Sequence, residues 1–89
     1  MFEWDPEKSE ENKKKHGISF EEVTGIWQSI CLEFSHIARS KDGESRSATV
    51  GLFRGEVYTV IWTGRGEKIR IISARKARNG EKKAYFEEL

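Results

Sequence analysis

The sequence has few of the residues that build disulfides, metal sites or membrane spans. Its only cysteine, Cys31, has no partner for a disulfide within the chain, and no pair of Cys or His residues has the spacing of metal ligands. No apolar run approaches the roughly 18 residues that cross a membrane. The acidic N-terminus also lacks the basic and then apolar pattern of a signal peptide. We therefore expect a cytoplasmic protein that uses no metal ion or other cofactor and binds no membrane.

The 89 residues are enough for one domain with a small core, which we expect to span residues 1–89. The net charge is only +1, but the charge is unevenly distributed. Residues 1–36 contain four Lys and eight Asp or Glu, whereas residues 37–89 contain twelve Lys or Arg and seven Asp or Glu. Such segregation can give a nearly neutral protein one basic face, and it is this face that meets phosphate.

The most informative stretch contains two apolar runs, Val57–Trp62 and Ile69–Ala74, which are rich in β-branched and aromatic residues. The connector between them contains Gly64 and Gly66, which allow a tight reversal, so we predict two antiparallel strands at the centre of a sheet. Residues 65–83 contain eight Lys or Arg and two acids. This basic segment is either a solvated face paired with the chain's own carboxylates or a surface for phosphate.

Capping signals predict three helices. Asp5 precedes Pro6, a good first helical residue, and Ser19 forms a capping box with Glu22. Asn79 can cap a last helix. The predicted helices span residues 6–15, 20–28 and 80–88.

Alternation of apolar and polar residues predicts further strands within residues 30–36 and 48–52, and Phe2–Trp4 fits a short edge strand. We therefore predict an α+β fold. It consists of an antiparallel sheet of about four strands with two N-terminal helices and one C-terminal helix, all on one face of the sheet.

Alternation along the last predicted strand places Arg70 and Arg75 on opposite faces unless a bulge interrupts the strand. If the helices cover the face of Ile69 and Ile71, Arg70 faces the open side. We therefore expect Arg70 to lie in the functional site and rank Arg75 below it.

Motifs that resemble one known family are spread along the whole chain. They are Phe2-Glu3-Trp4-Asp5, Lys15-His16-Gly17, Ser19-Phe20-Glu21-Glu22, Glu44-x-Arg46, Gly51, Thr63-x-Arg65-Gly66-Glu67, the block Ile69–Ala77, and Glu81-x-x-x-Tyr85. This combination resembles the BrnT family of bacterial toxins. The resemblance implies a RelE-like fold, ribonuclease activity that inhibits translation, and neutralisation by a BrnA-type antitoxin with a ribbon-helix-helix domain. It also implies a heterotetrameric complex that contacts operator DNA only through the antitoxin.

Cleavage of RNA without a metal uses the substrate's 2′-hydroxyl as nucleophile. It needs a group to accept that proton, cations to hold the charged phosphorane, and a donor for the leaving 5′-oxygen. Arginine suits the second task because its planar fork matches two phosphate oxygens, and histidine suits proton transfer. We predict catalytic roles for Arg65, Arg70, Glu67 and His16, and RNA-binding roles for Lys15, Arg46, Arg75 and Tyr85.

Each of these residues also has a structural interpretation. The arginines can form salt bridges with the chain's own acids, and Glu67 can simply orient Arg65. Lys15 and His16 suit the last turn of a helix, where the dipole favours cations. Tyr85 can anchor the last helix by packing.

Three functions fit this pattern. The first is an endoribonuclease toxin. The second is a catalytically silent module that binds the antitoxin and acts in operon co-repression, which is consistent with Gly64 standing where the family more often has an acidic or polar residue. The third is a passive RNA-binding domain. The arginine-rich strand serves all three.

Overall fold

The structure, a computed structural model, describes residues 1–39 and 43–88, without the side chains of His36 and Ala38. The strands are β1 (Phe2–Glu3), β2 (Cys31–Arg39), β3 (Ser45–Phe53), β4 (Glu56–Arg65) and β5 (Lys68–Lys76). The helices are α1 (Pro6–His16), α2 (Phe20–Val23), a 3-10 helix (Thr24–Gln28) and α3 (Asn79–Glu88).

The five strands form one mixed sheet in the order β1-β5-β4-β3-β2. Strands β2 to β5 form the expected antiparallel meander. However, β1 pairs in parallel with the start of β5, so the expectation of an antiparallel sheet of about four strands is corrected. The N-terminus lies there because the Phe2 ring packs against Trp27, with 4.9 Å between ring centroids, and because Ile69 N donates to Met1 O at 2.7 Å.

The capping box of the second helix is present, with Ser19 and Glu22 bonded reciprocally at 3.0 Å. The helix that it starts is shorter than predicted, because α2 is one α-helical turn that continues as the 3-10 helix to Gln28. This segment lies tightly against β3. A Cβ on Gly25 would lie 2.5 Å from the Phe53 ring. Glycine weakens the α-helix at this point and permits the close approach.

Helices cover both faces of the sheet, so the expectation of helices on one face is wrong. Alternation along β4 separates Val57 from Val60, and each lies in a different core cluster. The face of α1 and α2 has the buried cluster Ile18, Phe20, Val23, Ile26, Val60, Ile71 and Ala74. The face of α3 has the smaller buried cluster Val50, Val57, Ala77 and Tyr85, with Leu32 packed against it.

A β-bulge interrupts β5. Ile61 pairs with Ser73 and Trp62 pairs with Ile71, which leaves Ile72 without a partner in β4. Arg70 lies opposite Thr63, and Arg75 lies opposite Thr59. Thr59 and Thr63 share a face of β4, and cross-strand partners share a face, so the bulge brings Arg70 and Arg75 to the same face of the sheet. Arg70 was ranked above Arg75 because the two were expected on opposite faces, and the structure does not support that difference.

Candidate functional site

Asn12 fixes α1 against the free edge of β5. Its Oδ1 accepts from Ala74 N at 3.2 Å, and its Nδ2 donates to Ile18 O at 2.8 Å. Because β1 pairs only with Ile69 and Arg70, the Ala74 N–H further along this edge must find a partner elsewhere. Asn12 is 8% exposed and supplies that partner. As a result, the C-terminal end of α1 lies beside the C-terminal end of β5.

A basic groove opens where these two ends meet. It has a volume of about 440 Å³. Its lining residues are Lys15, His16, Arg75, Lys76 and Arg78, four formal cations and one imidazole. Lys15 and His16 also line an adjoining hollow of about 250 Å³ between α1 and β5. The structure therefore brings together three residues that the sequence predicted for the site: Lys15, His16 and Arg75.

The end of α1 determines where His16 lies. Gly17 adopts the left-handed conformation, with φ of 77°, and its N–H donates to Lys13 O at 2.9 Å. The helix therefore stops at His16, which is half-buried at the groove. Lys13 is bonded to Glu22 at 2.6 Å, whereas Lys15 has no ion pair within the part of the chain that the structure describes.

Glu81 in α3 holds Arg75 by two hydrogen bonds. Nη1 of Arg75 donates to Oε1 at 2.7 Å and Nη2 donates to Oε2 at 3.0 Å. Oε1 also accepts from Thr59 Oγ1 at 2.9 Å and from Arg78 N at 2.8 Å. The Arg75 guanidinium, helped by these other donors, lowers the pKa of Glu81 to about 2. Glu81 in turn raises the pKa of Arg75.

The other predicted catalytic residues lie at the opposite end of β5, around the β4–β5 hairpin. Arg65 donates to Glu44 at 3.2 Å, and Arg70 donates to Glu3 at 2.9 Å. The Arg70 bond lowers the pKa of Glu3. Glu67 is exposed in the hairpin turn.

Four residues of β5 lie between Arg70 and Arg75, so these arginines are roughly 15 Å apart along the strand. His16 lies at the Arg75 end, so the structure does not gather the predicted catalytic set of Arg65, Arg70, Glu67 and His16 in one place. The hairpin arginines and the groove are two separate basic clusters, and in the first both arginines are bonded to carboxylates.

Two predicted RNA-binding residues lie outside the groove. Arg46 is half-buried on the face of Ala48, and its Nε is buried without a hydrogen-bond partner among the described residues. Tyr85 is only 4% exposed and donates from its hydroxyl to Ile30 O at 2.9 Å. This burial corrects the prediction that Tyr85 binds RNA, because a buried ring cannot stack on a base. Tyr85 instead anchors α3 to the sheet.

Lys76, Arg78 and Glu81 were not predicted from the sequence as site residues. Lys76 and Arg78 lay within the basic segment, but nothing in the pattern distinguished them from its other cations. Glu81 follows Arg75 by six residues, but Arg75 lies at the end of β5 and Glu81 lies in α3, so neither strand nor helix periodicity relates the two residues. The motif Glu81-x-x-x-Tyr85 was the signal that could have found it.

Comparison with known proteins identifies the family. A family model described as "Ribonuclease toxin, BrnT, of type II toxin-antitoxin system" matches residues 4–81. This range includes every residue that lines the basic groove, together with Glu81. A search of curated proteins gave no significant match. None of the helices in residues 1–39 and 43–88 is long and apolar enough to cross a membrane. The chain therefore belongs to the BrnT family of ribonuclease toxins of type II toxin–antitoxin systems.

Proposed function

We propose that this protein is a metal-independent endoribonuclease that cleaves RNA in the basic groove, with the substrate's 2′-hydroxyl as nucleophile. One observation carries the proposal: an imidazole, His16, lies in the same groove as four Lys and Arg side chains. The cations can hold the phosphate while His16 transfers a proton, which is the pairing of tasks that this reaction requires.

The reaction has a defined balance of atoms. The 2′-oxygen attacks the adjacent phosphorus and loses its proton, and the bond from phosphorus to the 5′-oxygen breaks. The products are a 2′,3′-cyclic phosphate and a 5′-hydroxyl that has gained a proton. His16 serves one of the two proton transfers. The groove cations stabilise the charge that develops on the non-bridging oxygens.

The cations differ in whether they already form an ion pair with a carboxylate of the protein. Lys15 and Arg78 have no ion pair among the described residues, so they can bind a phosphate without breaking an existing contact. Arg75 is held by Glu81, and Lys76 lies 3.9 Å from Glu56. Arg65 and Arg70 extend the RNA-binding surface along the sheet and contact the substrate only by exchanging Glu44 and Glu3 for phosphate. Glu67 and Arg46 belong to this outer surface.

Cleavage of cellular RNA by this activity inhibits translation. The partner is a BrnA-type antitoxin with a ribbon-helix-helix domain, which covers the groove in a heterotetrameric complex and carries the contacts to operator DNA. Membership of a type II toxin–antitoxin family supports a protein antitoxin as the partner.

The test is cleavage of a synthetic RNA by purified protein in the presence of EDTA. We expect a cyclic phosphate product, and no cleavage of an RNA with a 2′-O-methyl group at the cleavage position. His16→Ala and Lys15→Ala should each lower the rate about 100-fold. Lys14→Ala is the matched control, because Lys14 is an exposed cation in the same helical turn that does not line the groove. Full activity of both groove variants, or cleavage of the methylated RNA, would refute the proposal.

A second candidate is a catalytically silent module that binds the antitoxin and acts in co-repression. The pairing of Arg65 with Glu44 and of Arg70 with Glu3 favours it, because these ion pairs neutralise the hairpin arginines within the molecule. This function predicts a stable complex with the antitoxin and no RNA products from the purified toxin, either with Mg²⁺ or with EDTA. Growth arrest that depends on His16 would exclude it.

A further inference from the structure

We infer that Glu81 is a positioning residue for the ribonuclease reaction: it orients the Arg75 guanidinium so that one edge of that group can bind the substrate phosphate. This inference rests on the proposed site. It assigns a role in activity to a carboxylate that does not itself line the basic groove.

The Glu81 carboxylate is held by an unusually large number of hydrogen-bond donors. Its two oxygens accept four hydrogen bonds: two from Arg75, one from Thr59 and one from Arg78 N. These donors come from β4, β5 and the segment before α3. A carboxylate with so many donors has little rotational freedom, so the guanidinium bonded to it is also fixed.

Part of the Arg75 guanidinium stays available to bind a phosphate. A guanidinium has five N–H groups in a fixed plane. The bonds found among the described residues use Nη1, which also donates to Lys76 O at 3.4 Å, and one hydrogen of Nη2. The Nε–H and the other Nη2–H form a separate edge of the plane. That edge matches two phosphate oxygens.

Glu22 resembles Glu81 in its surroundings but binds side chains outside the groove. Both carboxylates lie in the first turn of a helix, accept a backbone N–H, bind a cationic side chain and have a pKa lowered to about 2. The partners of Glu22 are Lys13 and Arg54, neither of which lines the basic groove. Glu22 therefore makes comparable bonds, but to side chains that do not themselves line the groove.

The experiment is a double-mutant cycle on RNA cleavage. Glu81→Gln keeps the side-chain shape but holds Arg75 less firmly. We expect kcat to fall roughly 10- to 100-fold, with KM changing much less, because the cation stays in the groove but loses its orientation. In an Arg75→Ala background, Glu81→Gln should change kcat less than about twofold, because the group that it orients is gone.

Stability controls separate this role from a structural one. Glu22→Gln should lower the thermal midpoint by an amount similar to Glu81→Gln while leaving kcat of the folded protein unchanged. Thr59→Val is a milder second variant, because it removes one donor to Glu81 and leaves the pair with Arg75. It should give an intermediate fall in kcat.

Two results overturn the inference in distinguishable ways. If the wild-type protein does not cleave RNA, the proposed function fails and this role fails with it. If the wild type cleaves RNA but Glu81→Gln lowers kcat equally with and without Arg75, only the positioning role is refuted, because Glu81 then acts through the fold.

Discussion

Replacing Asn12 tests the contact that seats α1 beside β5. Asn12→Ala removes both hydrogen bonds that join the helix to Ala74 N and Ile18 O. Asn12 is 8% exposed, and Ile18 and Ala74 are buried, so water reaches the orphaned groups poorly. The lost contact should also move the end of α1, which carries Lys15 and His16.

The magnitude follows from the two unsatisfied groups. A buried donor or acceptor left without a partner costs about 1–3 kcal/mol, so the free energy of unfolding should fall by roughly 3 kcal/mol. For a domain of this size, that corresponds to a fall of roughly 10–25 °C in the thermal midpoint. Asn12→Asp should be at least as destabilising at neutral pH, because it places a carboxylate oxygen against the Ile18 carbonyl.

Urea and thermal unfolding measure these differences, with Glu10→Ala as the control at an exposed position of the same helix. The control should change the free energy of unfolding by less than about 0.5 kcal/mol. As the pH falls, the free energy of unfolding of Asn12→Asp should rise relative to that of Asn12→Ala, because a protonated carboxyl can donate to Ile18 O. If Asn12→Ala is as stable as Glu10→Ala, Asn12 does not hold the helix to the strand.

Three further predictions concern acid stability, packing and RNA affinity. Glu22 and Glu81 have folded-state pKa values of about 2 against an ordinary 4.5, so each stabilises the fold above pH 4.5 and loses that contribution as the pH falls towards 2. Acid unfolding followed by circular dichroism should therefore show the deficit of Glu81→Gln shrinking across this range, and a constant deficit would contradict the assignment. Gly51→Ala should destabilise the fold by about 1–3 kcal/mol in urea, because a Cβ there would lie 2.8 Å from the Ile26 Cβ; a loss below about 0.5 kcal/mol would show that the 3-10 helix yields easily. Lys15→Ala should reduce the slope of log affinity for a 2′-O-methyl RNA against log salt by about one, and an unchanged slope would remove Lys15 from the phosphate contacts.

Local signals predicted the starts of α1 and α2 well, whereas Asn79, predicted as the cap of the last helix, is the first residue within α3. Asp5 accepts from Glu7 N at 2.9 Å, and Ser19 and Glu22 form the predicted capping box. Gly17 ends α1 in the left-handed conformation that glycine commonly adopts at the end of a helix. These features depend on residues within a few positions of one another, so the chain itself encodes them. The early end of α2 depended on contact with β3 as well as on Gly25, and no local pattern reports that contact.

The bulge at Ile72 was the main feature that periodicity could not supply. Strict alternation separates Arg70 from Arg75, and only the pairing of β5 with β4 shows that one extra residue reverses this. Packing explains its position, since the bulge lets Ile71 and Ala74 both enter the core beneath α1 and α2. A pattern in one strand does not contain the register of its neighbour.

Ion pairs between residues that are far apart in the sequence could not be predicted from the sequence either. Arg70 and Glu3 are 67 residues apart, and they meet only because β1 pairs with β5. Arg65 and Glu44 are 21 residues apart and meet because Glu44 directly precedes β3, which pairs with the strand β4 that Arg65 ends. Counting charge along the chain therefore identified a basic segment but could not tell which of its cations remained available for a ligand.

The two basic clusters differ in how many of their cations are paired with a carboxylate. The basic segment of residues 65–83 contains only two acids, yet Glu3 and Glu44, from outside it, neutralise the hairpin arginines. The groove is lined by Lys15 and His16, from the acidic first part of the chain, and by Arg78, from the basic second part. Lys15 and Arg78 keep their charges without an ion pair in the part of the chain that the structure describes. Two of the four groove cations thus have no carboxylate partner among the described residues, whereas both hairpin arginines have one, so the groove is the better candidate for the site of cleavage although its cations are widely spaced in the sequence.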